Sequence, residues 1–325
     1  RNLTVYSDQI QDLLRAAVLA PSSHNTQPWM FRVSGSRISL LADGTRALPA
    51  NDPDDRELTI SCGCALFNLR VAAASAGLGT TVDTIPDDEE DNLLAVVDLG
   101  DVRPQSQEKS LEPAIAVRRT YRKQFEAKPV PESVLVRLSE AAQEEGAWLR
   151  VIAVDRVKEA VARLIAEGDA AQWANPPWRR ELAAWMHPRR KGDGLTVPGL
   201  VAPVTRAVVS TFDMGNRIGA KDSQLARESP VLVVLGTQGD DREDWLRAGQ
   251  ALQRLLLTAC VDGLQASFLN QPIQVSSLRP RLQQVIESAG FPQILLRLGY
   301  PTKKLPPAPR RQLDDMIEIV NRAVA

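Results

Sequence analysis

The chain has 325 residues, 44% apolar and 24% charged, with 39 basic against 40 acidic side chains and a formal net charge of −1. By length it can bury a large core in about two domain-sized units, and its balanced charge excludes nucleic acid or a membrane surface as a bulk electrostatic partner. Two histidines and three cysteines exclude a multi-histidine metal centre and a disulfide framework. Cys62, Cys64 and Cys260 sit among alanines in helical patterns, where a thiol is a small buried hydrophobe, so a reducing, cytoplasmic compartment is expected. The start, Arg1-Asn2-Leu3-Thr4, lacks the apolar core of a signal peptide. No run of about 18 apolar residues predicts a membrane span.

In chain order, Asp8 to Ala17 predicts a capped amphipathic helix. Pro21-Ser22-Ser23-His24-Asn25-Thr26-Gln27-Pro28-Trp29 follows it. Ser and Asn compete for backbone hydrogen bonds and proline lacks a donor, so this string does not continue the helix. Two readings fit it. One is a proline-bounded turn capped by a core tryptophan; the other is a rigid turn presenting polar groups to a flat ligand. Trp29 to Val33 then reads as a strand.

Gly63 to Leu78 is an apolar helix ending at Gly77, and it has a counterpart in Gly249 to Leu264 at an offset of 186 residues. Seven positions coincide: Gly, Ala, Leu, Leu, Ala, Gly and Leu. The flanks repeat too. Pro131 to Ala142 predicts a helix leading to a strand over Trp148 to Val154, as Asp8 to Ala17 leads to Trp29. Leu93 to Leu99 and Gln293 to Leu298 predict the strands that follow the two central helices. Two α+β halves in matching order imply a pseudo-dimer within one chain, divided into residues 1–108 and 109–325.

The second half opens with Val117-Arg118-Arg119-Thr120-Tyr121-Arg122-Lys123-Gln124-Phe125. Its crowded cations suit an anionic ligand, and alternation along an extended segment would turn Arg118, Thr120 and Arg122 to one side as a phosphate cradle. A solvated basic linker is the other reading. The first half has the polar turn and no arginine cluster; the second half has the cluster and no polar turn. Gly168 to Lys221 has no counterpart in the first half and holds Trp173, Trp178, Trp185, His187 and five prolines. An insertion so aromatic is a packed excursion or a lid. Among the two histidines, His24 is either a ligand contact or a satisfied structural group.

G-x-G-x-x-G after a strand, G-x-x-x-x-G-K-[ST], G-x-S-x-G and H-E-x-x-H are all absent. The motifs present resemble the FMN-binding nitroreductase superfamily, through Pro21 to Trp29, Arg118 to Phe125, the two central helices and Arg297-Leu298-Gly299-Tyr300-Pro301. With both halves in one chain and Asp55-Arg56-Glu57-Leu58 ahead of the first central helix, it is similar to the Acg-like branch. That resemblance implies a nitroreductase-like α+β fold, duplicated within the chain, with a lid. It implies one FMN per chain, its phosphate and ribityl chain held by Arg118, Thr120 and Arg122. Pro21, Ser22, Ser23, Asn25 and Gln27 would line the isoalloxazine, Arg310 and Arg311 would close the phosphate end, and Asn270 and Gln271 would pass near flavin N5. NAD(P)H and a small-molecule electron acceptor are the implied partners, in a ping-pong cycle through N5. A protein that stores FMN under its lid is the alternative. The chain would be a monomeric pseudo-dimer, with a homodimer also open.

Overall fold

The structure is a computed structural model that describes residues 2–87, 89–101, 106–187 and 192–320. Helix α1 (Asn2–Ala17) begins six residues ahead of the predicted Asp8. It buries Ile10, Leu13, Leu14 and Ala17, the spacing of one helical face. Strands β1 (Trp29–Ser34) and β2 (Arg37–Ala42), helix α2 (Arg56–Ser75), and strands β3 (Gly79–Thr84) and β4 (Leu93–Gly100) complete the first layer. The short helices α3 (Ser106–Ser110) and α4 (Glu112–Val117) lead to α5 (Glu132–Glu144) and β5 (Trp148–Val151). Strand β5 stops short of the predicted Val154, because Asp155 starts α6 (Asp155–Trp173).

Next come α7 (Pro176–Ala184), β6 (Met186–His187), β7 (Leu195–Thr196), α8 (Ala202–Thr211) and α9 (Gly215–Glu228). The chain then runs through β8 (Val231–Thr237), α10 (Arg242–Val261), β9 (Gln265–Phe268), α11 (Gln271–Gln274), α12 (Arg279–Val285), β10 (Phe291–Gly299) and β11 (Ile317–Ile319).

One sheet has the order β11-β1-β2-β4-β3 and the other β5-β8-β10-β9. Set aside β11 and each is an antiparallel sheet in which the strands, taken in chain order, lie 1-2-4-3, with the 20-residue helix between the second and third strands. The two sheets differ in two connections: α11 and α12 lie between β9 and β10 where a loop joins β3 to β4, and the first link differs more. Gly35 and Ser36 alone join β1 to β2, whereas β5 and β8 are separated by α6 to α9. The excursion is therefore wider than residues 168–221: α6 and α9 pair along their length and belong to it whole. They pack on the outer face of the second sheet, where Leu232, Val234 and Leu295 meet Val161, Leu164, Ile165 and Ala226. The alternate residues Val231, Val233 and Leu235 point the other way, into the main core. Strand β11 returns from the far end of the chain to pair in parallel with β1, Phe31 against Ile317.

Between the sheets α2 and α10 cross. By length and hydropathy (1.4) α2 passes as a membrane span, yet 89% of that window lies inside the protein. The helices meet at Gly63 and Gly249, the first aligned pair of the sequence repeat. A Cβ on Gly63 would sit 2.9 Å from Gly249 Cα and press on the Leu246 carbonyl; one on Gly249 would sit 2.8 Å from Gly63 Cα and press on the Ile60 carbonyl. Neither obstacle is a side chain that can rotate away. Cys64 Sγ donates to the Gly249 carbonyl at 3.3 Å, and Gln253 Nε2 donates to Asn68 Oδ1 at 2.7 Å across the same seam. Gly63→Ala or Gly249→Ala is expected to lower unfolding free energy by about 1–3 kcal/mol through overpacking, read as a shift of the urea midpoint. A midpoint equal to the parent's would show that the helices do not meet there.

Candidate active site

Pro21 to Trp29 leaves α1 as a turn held from four directions. Ser22 Oγ accepts from Gln27 N (2.9 Å). Asn25 Nδ2 donates to the Pro309 carbonyl (3.0 Å), and the Asn25 carbonyl accepts from Gly194 N (3.1 Å). Gln27, fully buried, donates to the Gly192 carbonyl (2.8 Å) and accepts from Arg311 N (2.9 Å). Arg310 donates to the carbonyls of Val18, Leu19 and Ala20, the orphan acceptors where α1 ends. This bracing sustains three non-glycine residues in the left-handed region: His24 (φ 51°), Asn25 (φ 53°) and Gln27 (φ 52°). Such strain persists only where surrounding contacts enforce it. The excursion's turn is fastened here as well, since Asp193 takes Arg46 at 2.7 Å and His187 Nε2 at 2.9 Å.

The turn forms one wall of a cavity of about 330 Å³, within the range of small-molecule and cofactor sites. Pro21, Ser22, Ser23 and His24 face it, as do Glu57, Ile60, Ser61 and Cys64 of α2. Thr120 and Arg122 line it too, with Leu252, Phe268, Asn270, Gln271, Gln274 and Ile294. The excursion supplies Asp169, Gln172, Trp173, Trp178, Leu195, Ile218 and Asp222. Trp173 and Trp178 meet edge to face at 5.3 Å, and Trp178 Nε1 donates to Asn51 Oδ1 at 3.0 Å.

Beside the cavity lie unneutralised cations. Arg118 is 7% exposed and its Nε has no hydrogen-bond partner among the described residues. Burial pulls its guanidinium down to about 10, the Cys64 and Cys260 sulfurs being the groups that favour its charge. Arg310 is likewise drawn down to about 10, by burial and by the charges of Arg118 and Arg119. Among the described residues no carboxylate pairs with Arg118, Arg119, Arg122 or Arg310. Elsewhere on the cavity wall sit carboxyls. Glu57 accepts from Ser23 Oγ (3.2 Å), Asn51 Nδ2 (3.1 Å) and Gln274 Nε2 (2.8 Å), and burial raises its pKa. Burial and the charge of Asp222 push Asp169 up to about 8.

Of the residues singled out in the sequence, Pro21, Ser22, Ser23, Thr120, Arg122, Asn270 and Gln271 come together on the cavity wall. Asn25, Gln27, Arg310 and Arg311 lie behind the turn and hold its shape. Arg118, an extended residue that caps α4 with its N–H on the Ala114 carbonyl, is buried within electrostatic reach of Cys64 on that wall. Glu57, Asp169, Gln172, Asp222 and Gln274 were not anticipated. Glu57 carried a signal, a carboxylate in the first turn of a largely apolar buried helix; the two aspartates fall on stripes with Ile165 and Trp173 and with Ile218 and Ala226, but their meeting depends on how α6 and α9 pair.

His24 gives a pH test. Burial, then the charge of Arg122, lowers its pKa from 6.5 to about 4. The unfolded chain therefore takes the proton first as pH falls. The stability contributed by the neutral ring is whole above pH 6.5 and is lost toward pH 4, at a slope of about 1.4 kcal/mol per pH unit. His24→Gln is expected to remove that part of the slope in urea unfolding. Identical profiles for the two proteins would show His24 to be solvated.

A model of the nitroreductase family matches residues 115–300. A Mycobacterium tuberculosis H37Rv protein provisionally named an NAD(P)H nitroreductase is 33% identical over 321 residues, covering 96% of this chain and 92% of that one. A second from the same strain, acg, with the same provisional name, is 28% identical over 323 residues, 97% of each chain. Among solved structures, a provisionally described nitroreductase of Anabaena variabilis superposes with a TM-score of 0.57 at 11% identity, covering 90% of this chain and 88% of that one. The chain therefore belongs to the nitroreductase family of oxidoreductases, alongside its Acg-like members.

Proposed function

We propose that this chain is an FMN-binding oxidoreductase whose single flavin site lies between two halves of an internally duplicated fold. The observation that carries the reading is one cavity walled by the Pro21–His24 turn from one half and by Thr120, Arg122 and Gln271 from the other, with unpaired guanidiniums beside it. The residues fit the cofactor. Arg118 Nε is a buried donor without an acceptor, and a phosphate is the kind of oxyanion that guanidiniums bind in bidentate fashion. Arg118, Arg122 and Thr120 would hold the phosphate and ribityl chain. Ser22, Ser23 and the turn backbone would offer hydrogen bonds to the ring system.

The matching strand orders and the Gly63–Gly249 contact support duplication. Support for one site rather than two comes from the α2 residues Ile60, Ser61 and Cys64, whose counterparts on α10 are Leu246, Arg247 and Gln250. Gln250 Oε1 instead accepts from Arg70 (2.9 Å), which is bound to Glu108 (2.6 Å) and Glu145 (2.8 Å); Arg254 also bonds Glu145 (2.9 Å) and Glu144.

A bound flavin supplies hydride acceptance and release at N5. This chain's residues supply the rest: Arg118 and Arg122 neutralise the anionic end, the strained turn fixes the ring's hydrogen-bonding edge, and Trp173 and Trp178 exclude water. NAD(P)H, the donor in the names of the relatives, and a small acceptor would occupy the same space in turn, a ping-pong order. One observation favours storage of FMN instead. The excursion lies across the cavity and is bonded to the turn through Gln27 and Gly192, as a lid would be.

Anaerobic mixing of the yellow protein with NADPH separates the readings. Bleaching of the flavin band is expected. A yellow protein that does not bleach supports storage, and a colourless one refutes both. Replacing Arg118 and Arg122 together by Ala should weaken flavin binding at least about hundredfold, measured by flavin fluorescence on titration. Undiminished binding would refute the phosphate assignment.

A further inference from the structure

A flavin site leaves two cavity carboxyls without a task. Asp169 comes from α6 and Asp222 from α9. Gly168 lets α6 approach α11 so closely that a Cβ there would lie 2.6 Å from Gln271 Cβ. In that crossing Gln271 Nε2 donates to Asp169 Oδ1 at 3.2 Å and to Asp222 Oδ2 at 3.0 Å. The two carboxyls also contact each other, an arrangement that holds only with a shared proton or a bridging cation. Asp169 is 3% exposed, and its Oδ2 meets no donor; Gln271 Oε1 is likewise a buried acceptor without a partner.

No cation of the chain bonds to this pair among the described residues. Lys221 on the same helix and Arg297 on β10 act on Asp222 only through space. Arg122 and Glu57 line other parts of the wall, and His24 is neutral above about pH 4. One helical turn beyond Asp169, on the same face, Trp173 presents its ring to the cavity, and aromatic faces attract cations.

We propose that Asp169, Asp222 and Gln271 form a subsite for a protonated amine on the ligand that shares the cavity with the flavin. An ammonium group has three N–H donors and no acceptor, the complement of the unpartnered oxygens here. Entry of the cation releases the shared proton to solvent, and the amine is held between the aspartates with its organic body against Trp173. A carboxylate or phosphate in that place meets two carboxyls and is rejected. The ligand class follows from these residues; only the neighbouring flavin rests on the function proposed above.

The test uses purified protein whose flavin absorbance has been recorded. Benzylamine, benzyl alcohol and benzoate, alike in shape and different in charge, are titrated while tryptophan emission is followed. Benzylamine is expected to bind at least about tenfold tighter than the other two at pH near 8, with release of about one proton on binding at pH 7. Because Asp169 holds its proton up to about pH 8, benzylamine affinity should rise about tenfold per pH unit from pH 6 toward 8. Asp222→Asn should abolish the preference while flavin absorbance is retained. Should that variant not fold, the three-probe comparison and pH series on the parent protein decide. Equal binding of the three probes, tighter binding of benzoate, or a flat pH profile overturns the subsite. A coloured protein without the amine preference refutes the subsite and leaves the flavin reading; a colourless protein with it does the reverse.

Discussion

Two helices can come within touching distance of each other's backbones only where neither carries a side chain, and α2 and α10 do so at Gly63 and Gly249. That approach sets the spacing of the whole molecule. Each helix is bound to its own sheet, so the distance between the helices is also the distance between the sheets. Residues on either side of the crossing, Ile60, Ser61 and Cys64, then line the same cavity as the Pro21 turn and the Thr120 segment. A larger residue at either glycine would push the walls apart along with the helices. The cavity follows from packing at the crossing more than from any of its own polar groups.

Charge is then sorted around that cavity. Guanidiniums gather where α4 and the C-terminal segment pass the end of α1, and carboxyls gather where α6 and α9 lean over α11. Each group is costly alone, because buried like charges repel and are poorly solvated. The protein leaves them largely uncompensated by one another, in contrast to the Arg70–Glu145–Arg254 cluster, where opposite charges close on themselves. A site that binds ligands keeps its charges available, and a filled one does not.

Much of this was legible in the sequence for physical reasons. The proline-fenced turn could not continue the helix, and the repeated Gly-Ala-Leu helices, small and apolar along much of their length, read as buried. Their matching glycines also marked the place of contact. The rest depended on partners far away in the chain. Arg310 and Arg311 looked like ligand cations, and their chemistry is the same when the oxygens they meet are backbone carbonyls. Asp169 shares a helical stripe with Ile165 and Trp173, and Asp222 one with Ile218 and Ala226, but only the pairing of α6 with α9 brings the two carboxyls together.

The return of β11 to β1 also bears on how the chain comes to be folded. The first sheet and the bracing of the Pro21 turn use Ile317, Arg310 and Arg311, which are synthesised long after the segments they support. The first layer must therefore wait, with one sheet edge and one strained turn unsupported, until residues 310–317 have been made. Contacts of such long sequence separation make folding slow, and a partly made chain exposes an unpaired strand edge that other chains can join. The order of translation, and not only the final stability, is a constraint under which this molecule has to work.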